Sequence, residues 1–422
     1  MRPVAALLFL MPALVLLGAL VVYPLVGTII ASFQDATGSR FVGLANYREL
    51  FTNPRTLLAI RNNIIWVLVV PATVTALGLI FAVLAERLSF ERAFKAVIFM
   101  PMAISLLAGG VIWRVVYEQS PQLGLLNAGI NAVLSVFRPP GEYPGASPSE
   151  GMQPAGGGLA PTVPVIPGQT YQLGLLGLGP DQVPKPASQA TVAVPNGPEE
   201  ITGVVFRDFR PGGGGHRGAV DPGELGLPGV KVDLQDATGK VVKAAKTEDD
   251  GSFRITGVVA GTYRLELAAA NFRPAFAGIQ WLGPTLITPA IIVAYIWIWA
   301  GFAMMVLAAG LAALPREVLE AARVDGADEW QTFRRIIVPL LAPEMVVVLI
   351  TLVIYVLKVF DIVLVIAPEA VQNNANVIAL EMWRTAFGAR DQGLGSAVAV
   401  LLFALVLPVM ILNVRRFRQE RG

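Results

Sequence analysis

A chain of 422 residues with no cysteine and one histidine offers few groups for covalent chemistry. The missing thiols remove disulfides, cysteine-ligated zinc and thiol nucleophiles together. His216 lies in a glycine-rich stretch and reads as a solvated loop residue, not a metal ligand or a catalytic base. No Gly-x-x-x-x-Gly-Lys-Ser/Thr phosphate loop occurs, so the chain does not hydrolyse ATP by that route. What remains are polar and aromatic residues inside apolar stretches. Lys358 and Asp361 stand three apart, and Tyr355 stands three before Lys358. On one helix that spacing puts all three on a single face, where the two charges can pair. Ionisable groups in lipid are costly and usually face a cavity or a partner. They are therefore candidates for a polar pathway. The blander alternative is a structural ion pair beside an interfacial aromatic belt.

A second group of residues points to a partner protein. Glu320-Ala321-Ala322-Arg323-Val324-Asp325-Gly326-Ala327 is followed by Phe333, Ile336, Pro339 and Pro343. Helix formers precede Gly326, with an apolar stripe at Val318, Leu319, Ala322 and Val324. Gly326 can end that helix and turn the chain. Trp330, Phe333, Ile336 and Ile337 then recur at helical spacing, and Pro339 breaks the second helix. The expected product is a short helix–turn–helix whose apolar side chains are too few to bury one another. Such a surface implies a partner.

The elements that must carry these residues follow from composition. Hydrophobic residues make up 55% of the chain and charged ones 15%, against about 25% charged in soluble domains. A net charge of +2 and the lack of a basic, aromatic-studded run exclude a nucleic-acid partner. Six stretches approach or exceed the ~20 apolar residues that cross a bilayer as helix: 4–33, 64–85, 96–113, 282–315, 345–367 and 393–414. The first reads as an uncleaved anchor, being too long for a signal peptide and lacking a convincing cleavage site. Arginine and lysine concentrate between the second and third stretches (Arg87, Arg92, Lys95), between the fourth and fifth (Arg316, Arg323, Arg334, Arg335) and after the sixth (Arg415, Arg416, Arg418, Arg421). By the positive-inside rule this side is cytoplasmic and both termini lie there, in the inner membrane. Arg40, Arg48, Arg55, Arg61, Arg384 and Arg390 dilute the bias from the other side.

The fold class expected is therefore mainly α, a polytopic membrane protein of six transmembrane helices, with a small all-β sandwich inserted on the outer side. The division is 1–136 for the first three helices, 137–200 for an extracytoplasmic linker, 201–272 for the sandwich, and 273–422 for the last three helices with the loop at 316–343. Pro, Gly, Ser and Ala dominate the linker, a composition that reads as flexible or extended. The sandwich is read from short alternating runs separated by turn signals such as Asp249-Asp250-Gly251 and Ala260-Gly261.

The Glu320–Pro343 pattern resembles the EAA loop of ATP-binding-cassette importer permeases. That resemblance implies that Glu320, Ala321, Ala322, Asp325, Gly326, Ala327, Phe333 and Pro339 form a coupling helix that docks on a separate ATPase dimer. ATP and magnesium would then belong to the partner, and this chain would bind no cofactor and be no enzyme. A second permease subunit, an extracytoplasmic sugar-binding protein and the lipid bilayer complete the implied partners. Phe99-Met100-Pro101-Met102, Gly124-Leu125-Leu126-Asn127 and Asp391-Gln392-Gly393-Leu394 resemble carbohydrate permeases, in particular those for α-glucosides. Trp297, Trp299, Gly301 and Met304 lie where the maltose type contributes sugar contacts. Residues 203–267 resemble the B-type repeats of bacterial SD-repeat surface proteins. These often bind calcium, which would make Asp208, Asp221 and Glu224 the ligands, although Arg210-Pro211 and four glycines dilute the acidic spacing. The competing reading is a membrane-anchored surface or adhesion protein whose β domain is the functional part. It explains neither the cytoplasmic loop nor six spans.

Overall fold

The computed structural model describes residues 3–210, 213 and 215–419; for 3–8, 316, 323 and 412–419 it describes the backbone alone. Pro211, Gly212 and Gly214 of the glycine-rich loop, and Arg421, lie outside the described residues. The chain divides into two compact units, residues 1–118 with 280–422, and residues 119–279.

The first unit is helical. Helices α1 (Pro3–Leu17) and α2 (Tyr23–Ala31) run into each other through a π turn, followed by α3 (Ala45–Leu50). Helix α4 (Pro54–Ala85) has 32 residues and opens on Asn53, whose side chain accepts from the Arg55 amide, with Pro54 in the first turn where no donor is needed. At 1.5 Å per residue it is about 48 Å long, more than a ~30 Å hydrocarbon core requires. Helices α5 (Glu91–Phe99) and α6 (Leu106–Val116) replace the third expected span. They meet at an angle of 101°. A 3₁₀ turn at Met100–Ala103 and extended residues Ile104 and Ser105 make the break. Ser105 caps α6 by accepting from the Ala108 amide at 3.2 Å.

The second unit opens with α7 (Leu125–Phe137). Among the described residues nine strands follow: β1 (Ser147–Pro148), β2 (Met152–Ala155), β3 (Gly158–Pro161), β4 (Thr170–Leu176), β5 (Ile201–Arg207), β6 (Lys231–Gln235), β7 (Val241–Lys246), β8 (Ser252–Ile255) and β9 (Arg264–Leu267). They form one sheet in the order β1-β4-β5-β8 and another in the order β2-β3-β9-β6-β7. Leu173, Leu175, Ile201, Val205 and Phe253 of the first share a core with Val232, Leu234, Leu265 and Leu267 of the second. The expected linker is thus not a linker throughout, because four of the nine strands come from it. Its β4 pairs in parallel with β5, Thr170 opposite Thr202 through Leu175 opposite Arg207. Nor is the unit purely β, given α7.

The chain then returns to the first unit as α8 (Ile287–Ala312), α9 (Arg316–Val324), α10 (Glu329–Thr332), α11 (Val338–Leu340), α12 (Ala342–Leu357), α13 (Asp361–Ile366), α14 (Ile378–Trp383) and α15 (Gln392–Gln419). The core is built where α4, α8 and α12 meet, from Trp66, Val74, Tyr295, Trp299, Met304, Leu307 and Leu352. α4 and α8 approach so closely that a Cβ on Gly78 would overlap Ala303. Among the described residues four helices are long and apolar enough to cross a membrane by themselves, and the count reaches six if each of two bent pairs is one span.

Candidate functional site

The loop after α8 is a helix–turn–helix with both turns capped. In α9 the Asp325 amide donates to the Ala321 carbonyl and the Ala327 amide to the Ala322 carbonyl, each at 2.9 Å. Gly326 between them has φ +78°. Left-handed glycine after the last turn with a bond from the residue beyond it is the Schellman stop. Asp328 then caps α10. Its carboxylate accepts from the Gln331 amide at 2.6 Å, and the Gln331 side chain accepts from the Asp328 amide at 3.2 Å, a capping box. Phe333 opens a π turn that runs to Ile337. Pro339, which has no amide hydrogen to give, stands just beyond it. The main break comes at Leu341, where α11 and α12 meet within a 66° bend.

One face of this loop is held and the other is bare. Leu319 and Phe333 pack against the helical core, and Ala322 is buried. Arg87, at the end of α4, pairs with Glu329. Both are exposed, so the pair orients the loop more than it stabilises it. Val324, at 87% exposure, and Trp330, at 65%, face outward with Val318. The Trp330 ring stacks on Phe333 at 5.6 Å. Ile80, Val83 and Leu84 of α4 line a groove with these two rings.

The aromatic candidates separate. Trp299 lies 5.8 Å from Tyr295 and 4.7 Å from Tyr355, and the Lys358 ammonium stands 5.6 Å over the Tyr355 ring. Trp299 is buried, and among the described residues its indole N–H has no hydrogen-bond partner; Tyr355 is 45% exposed. Trp299, Tyr355 and Lys358 therefore form one stack. Trp297 stands apart, edge-on to Trp113 at 5.6 Å. Gly301 serves close packing, since a Cβ there would overlap the backbone of Ile98 and Phe99. Met304 is fully buried in the core. The expected Lys358–Asp361 face does not exist. α12 stops at Leu357, Lys358 and Phe360 are non-helical, and Asp361 starts α13. Among the described residues the two do not form an ion pair.

A polar cluster went unread in the sequence. Asn62 donates to the carbonyls of Asn374 and Asn376 at 2.9 and 2.8 Å. Asn63 accepts from the Ile378 amide at 2.7 Å, and Asn376 donates to buried Glu381 at 2.5 Å. Two adjacent amides just before an apolar run were the available signal: hydrogen-bonding groups at that position must find partners.

The three acidic residues of the second unit do not make a cation cage. Asp208 accepts from the Ser149 hydroxyl and from the Gly218 amide. Asp221 accepts from the His216 amide at 2.6 Å and faces its ring at 3.2 Å. Glu224 accepts from the Asp221 amide at 2.9 Å. The hydrogen bonds from His216 hold the Asp221 carboxyl below its ordinary range. Burial pushes Glu224 up, with the charges of Asp208 and Asp221 adding to it. Among the described residues no group of three His, Cys, Asp or Glu is arranged to hold a metal. Asp208, Asp221 and Glu224 are turned to loop bonds instead. His216 is solvated as expected, yet tied to Asp221.

Residues 255–418 match the family described as binding-protein-dependent transport system inner membrane component. Residues 201–276 match the SdrD B-like domain. The osmoprotective compounds uptake permease protein GgtC of Synechocystis sp. is 28% identical over 98% of this chain and 99% of its own. Residues 255–418 thus match this permease family. The alpha-glucoside transport system permease protein AglF of Rhizobium meliloti is 29% identical over 98% of this permease and 83% of its own chain. A crystal structure of a bacterial ABC transporter involved in import of the acidic polysaccharide alginate shares the fold, with a TM-score of 0.56 at 14% identity over 98% and 96% of the two chains. The family match takes in α8 to α15 and the whole capped loop, so the permease is a transport subunit and not itself an enzyme.

Proposed function

We propose that this chain is one of two permease subunits of an ATP-driven sugar importer, and that its α9–α10 loop is the surface on which the ATPase docks. The observation that carries the reading is the capped turn at Gly326 with Val324 and Trp330 exposed beside it. A loop held on one face and apolar on the other fits a groove on a partner. Glu320, Ala321, Ala322, Asp325, Ala327 and Pro339 set the shape of that surface, and Phe333 ties it to the helical core. Closure of the ATPase dimer on ATP and magnesium would move α8 and α12 through it. Six spans, counting each bent pair as one, put both termini in the cytoplasm, in keeping with the arginine bias.

The substrate class is a sugar, with α-glucosides and related oligosaccharides foremost. AglF, an alpha-glucoside transport system permease protein, supports this by its name. The Trp299–Tyr355–Lys358 stack adds chemistry suited to it, because aromatic faces stack on sugar rings and an ammonium donates to hydroxyls. An extracytoplasmic binding protein would deliver the sugar. Two experiments test the reading. Glu320→Lys in the assembled complex is expected to abolish co-purification of the ATPase, and retained association would remove the docking assignment. Uptake of a panel of α-linked disaccharides by the reconstituted complex is expected to single out one or a few. Uptake of none of them would refute the sugar class proposed.

A further inference from the structure

Helix α7 carries no charged residue, and its polar side chains fall on one line: Asn127, Asn131 and Ser135, four residues apart. The opposite face holds Leu125, Val133, Val136 and Phe137, exposed by 68, 60, 75 and 78%. Among the described residues none of these four joins a hydrophobic core. With 13 residues the helix is about 20 Å long, too short to cross a bilayer. Asn127 fixes its place along the chain. It is fully buried, and its amide group donates to the Gln119 carbonyl at 3.1 Å and the Ile279 carbonyl at 2.9 Å, while its oxygen accepts from the Ile279 amide at 2.8 Å. Gln119 and Ile279 are the first and last residues of the second unit. Gln119 follows the end of α6 by three residues and Ile279 precedes the start of α8 by eight. The helix is therefore stapled to both ends of the second unit.

We infer that α7 is an interfacial helix, lying in the outer headgroup layer of the bilayer with Leu125, Val133, Val136 and Phe137 in the acyl boundary. Amphipathic helices of low charge settle roughly 5–10 Å into that layer. Arg138, next after Phe137, can reach outward to the phosphates. The inference rests on the proposed membrane path through α6 and α8.

The chain has no cysteine, so single-cysteine labelling needs no background removal. Val133→Cys, Val136→Cys and Ser135→Cys, each carrying a polarity-sensitive fluorophore, are compared in the full complex in nanodiscs. Leu68→Cys on α4 serves as the membrane control and Val242→Cys on β7 as the aqueous one. Labels at 133 and 136 are expected to emit blue-shifted light and to be quenched by brominated lipid, while 135 and 242 are quenched by aqueous iodide. Iodide quenching at 133 and 136 with lipid quenching at 68 overturns the inference and leaves the membrane path standing. Failure of lipid quenching at 68 overturns both. Shielding at 133 and 136 from iodide and brominated lipid alike means a protein covers the face, which also overturns it.

Discussion

Gly326→Ala isolates what the loop's turn contributes. Among the described residues, chain neighbours aside, no atom lies within 4 Å of where the new Cβ would sit, so the change introduces no clash with them. The penalty is that of holding an L-residue at φ +78°, about 1–2 kcal/mol. Gly326 is exposed, so this falls on the loop's own conformation and not on the packing of α4, α8 and α12. It corresponds to a roughly 5–30-fold smaller population of the docking-competent turn. Titration of labelled ATPase onto the permease in nanodiscs is expected to show a loss of affinity of that order, with the melting temperature unmoved. Gly326→Asn is expected to lose less, because asparagine visits the left-handed region more readily. Gly326→Pro is expected to lose most, because proline fixes φ near −65°. Equal affinity for glycine, alanine and asparagine at this position would refute the idea that the turn presents the surface.

Three further outcomes follow from other parts of the chain. Because Lys358 and Asp361 sit on separate segments, uptake by K358A, D361A and the double variant is expected to be additive within ~0.5 kcal/mol; a larger coupling would restore the pair. Gly78→Val forces a side chain into Ala303 across the α4–α8 contact, and overpacking of that kind costs ~1–3 kcal/mol, visible as a lower melting temperature in detergent. Glu224→Gln tests the acidic loop by pH. Burial and its neighbours raise the Glu224 carboxyl above 4.5, so the native form holds its proton more tightly than the unfolded chain and loses stability as pH climbs past that value. The glutamine variant is expected to melt higher than the parent at neutral pH, the difference vanishing below about pH 4.5. A constant difference across pH would mean that charge is not the cause.

The capped loop was legible because its information is local. Gly326 acts on the backbone within a few residues and stops α9 as its chemistry suggests, whereas Pro339 does not break the second helix, which runs on to Leu340, and the Asp328 cap went unread. The apolar stretches were legible as composition, but their breaks were not. Ile104-Ser105 and Lys358-Val359-Phe360 interrupt helices without a run of helix breakers, since the partner surfaces that stabilise the bends are distant in sequence. Gly110 against Val365 and Ile366 is one such contact. Strands β1 to β4 hid for a related reason. Their Pro, Gly and Ala content cannot make a core alone, yet Leu173 and Leu175 are buried by strands that arrive later in the chain. Among the site residues, aromatic type was informative about the stack of Trp299 and Tyr355, whereas Gly301 and Met304 turned out to serve helix packing.

The β fold is entered and left by two chain segments that lie side by side. The Gly141 amide donates to the Arg273 carbonyl and the Tyr143 amide to the Asn271 carbonyl, both at 2.9 Å. A fold with its two ends side by side behaves as a cassette. Its removal leaves a gap that a turn can bridge, and doubling the inserted length adds only ~0.6 kcal/mol of closure entropy. Residues 142–272 are thus a natural port on this permease. On the membrane path proposed above, a fluorescent protein or an epitope tag seated there would report from the outer face of the membrane, and the helices of the first unit would keep their lengths and their order.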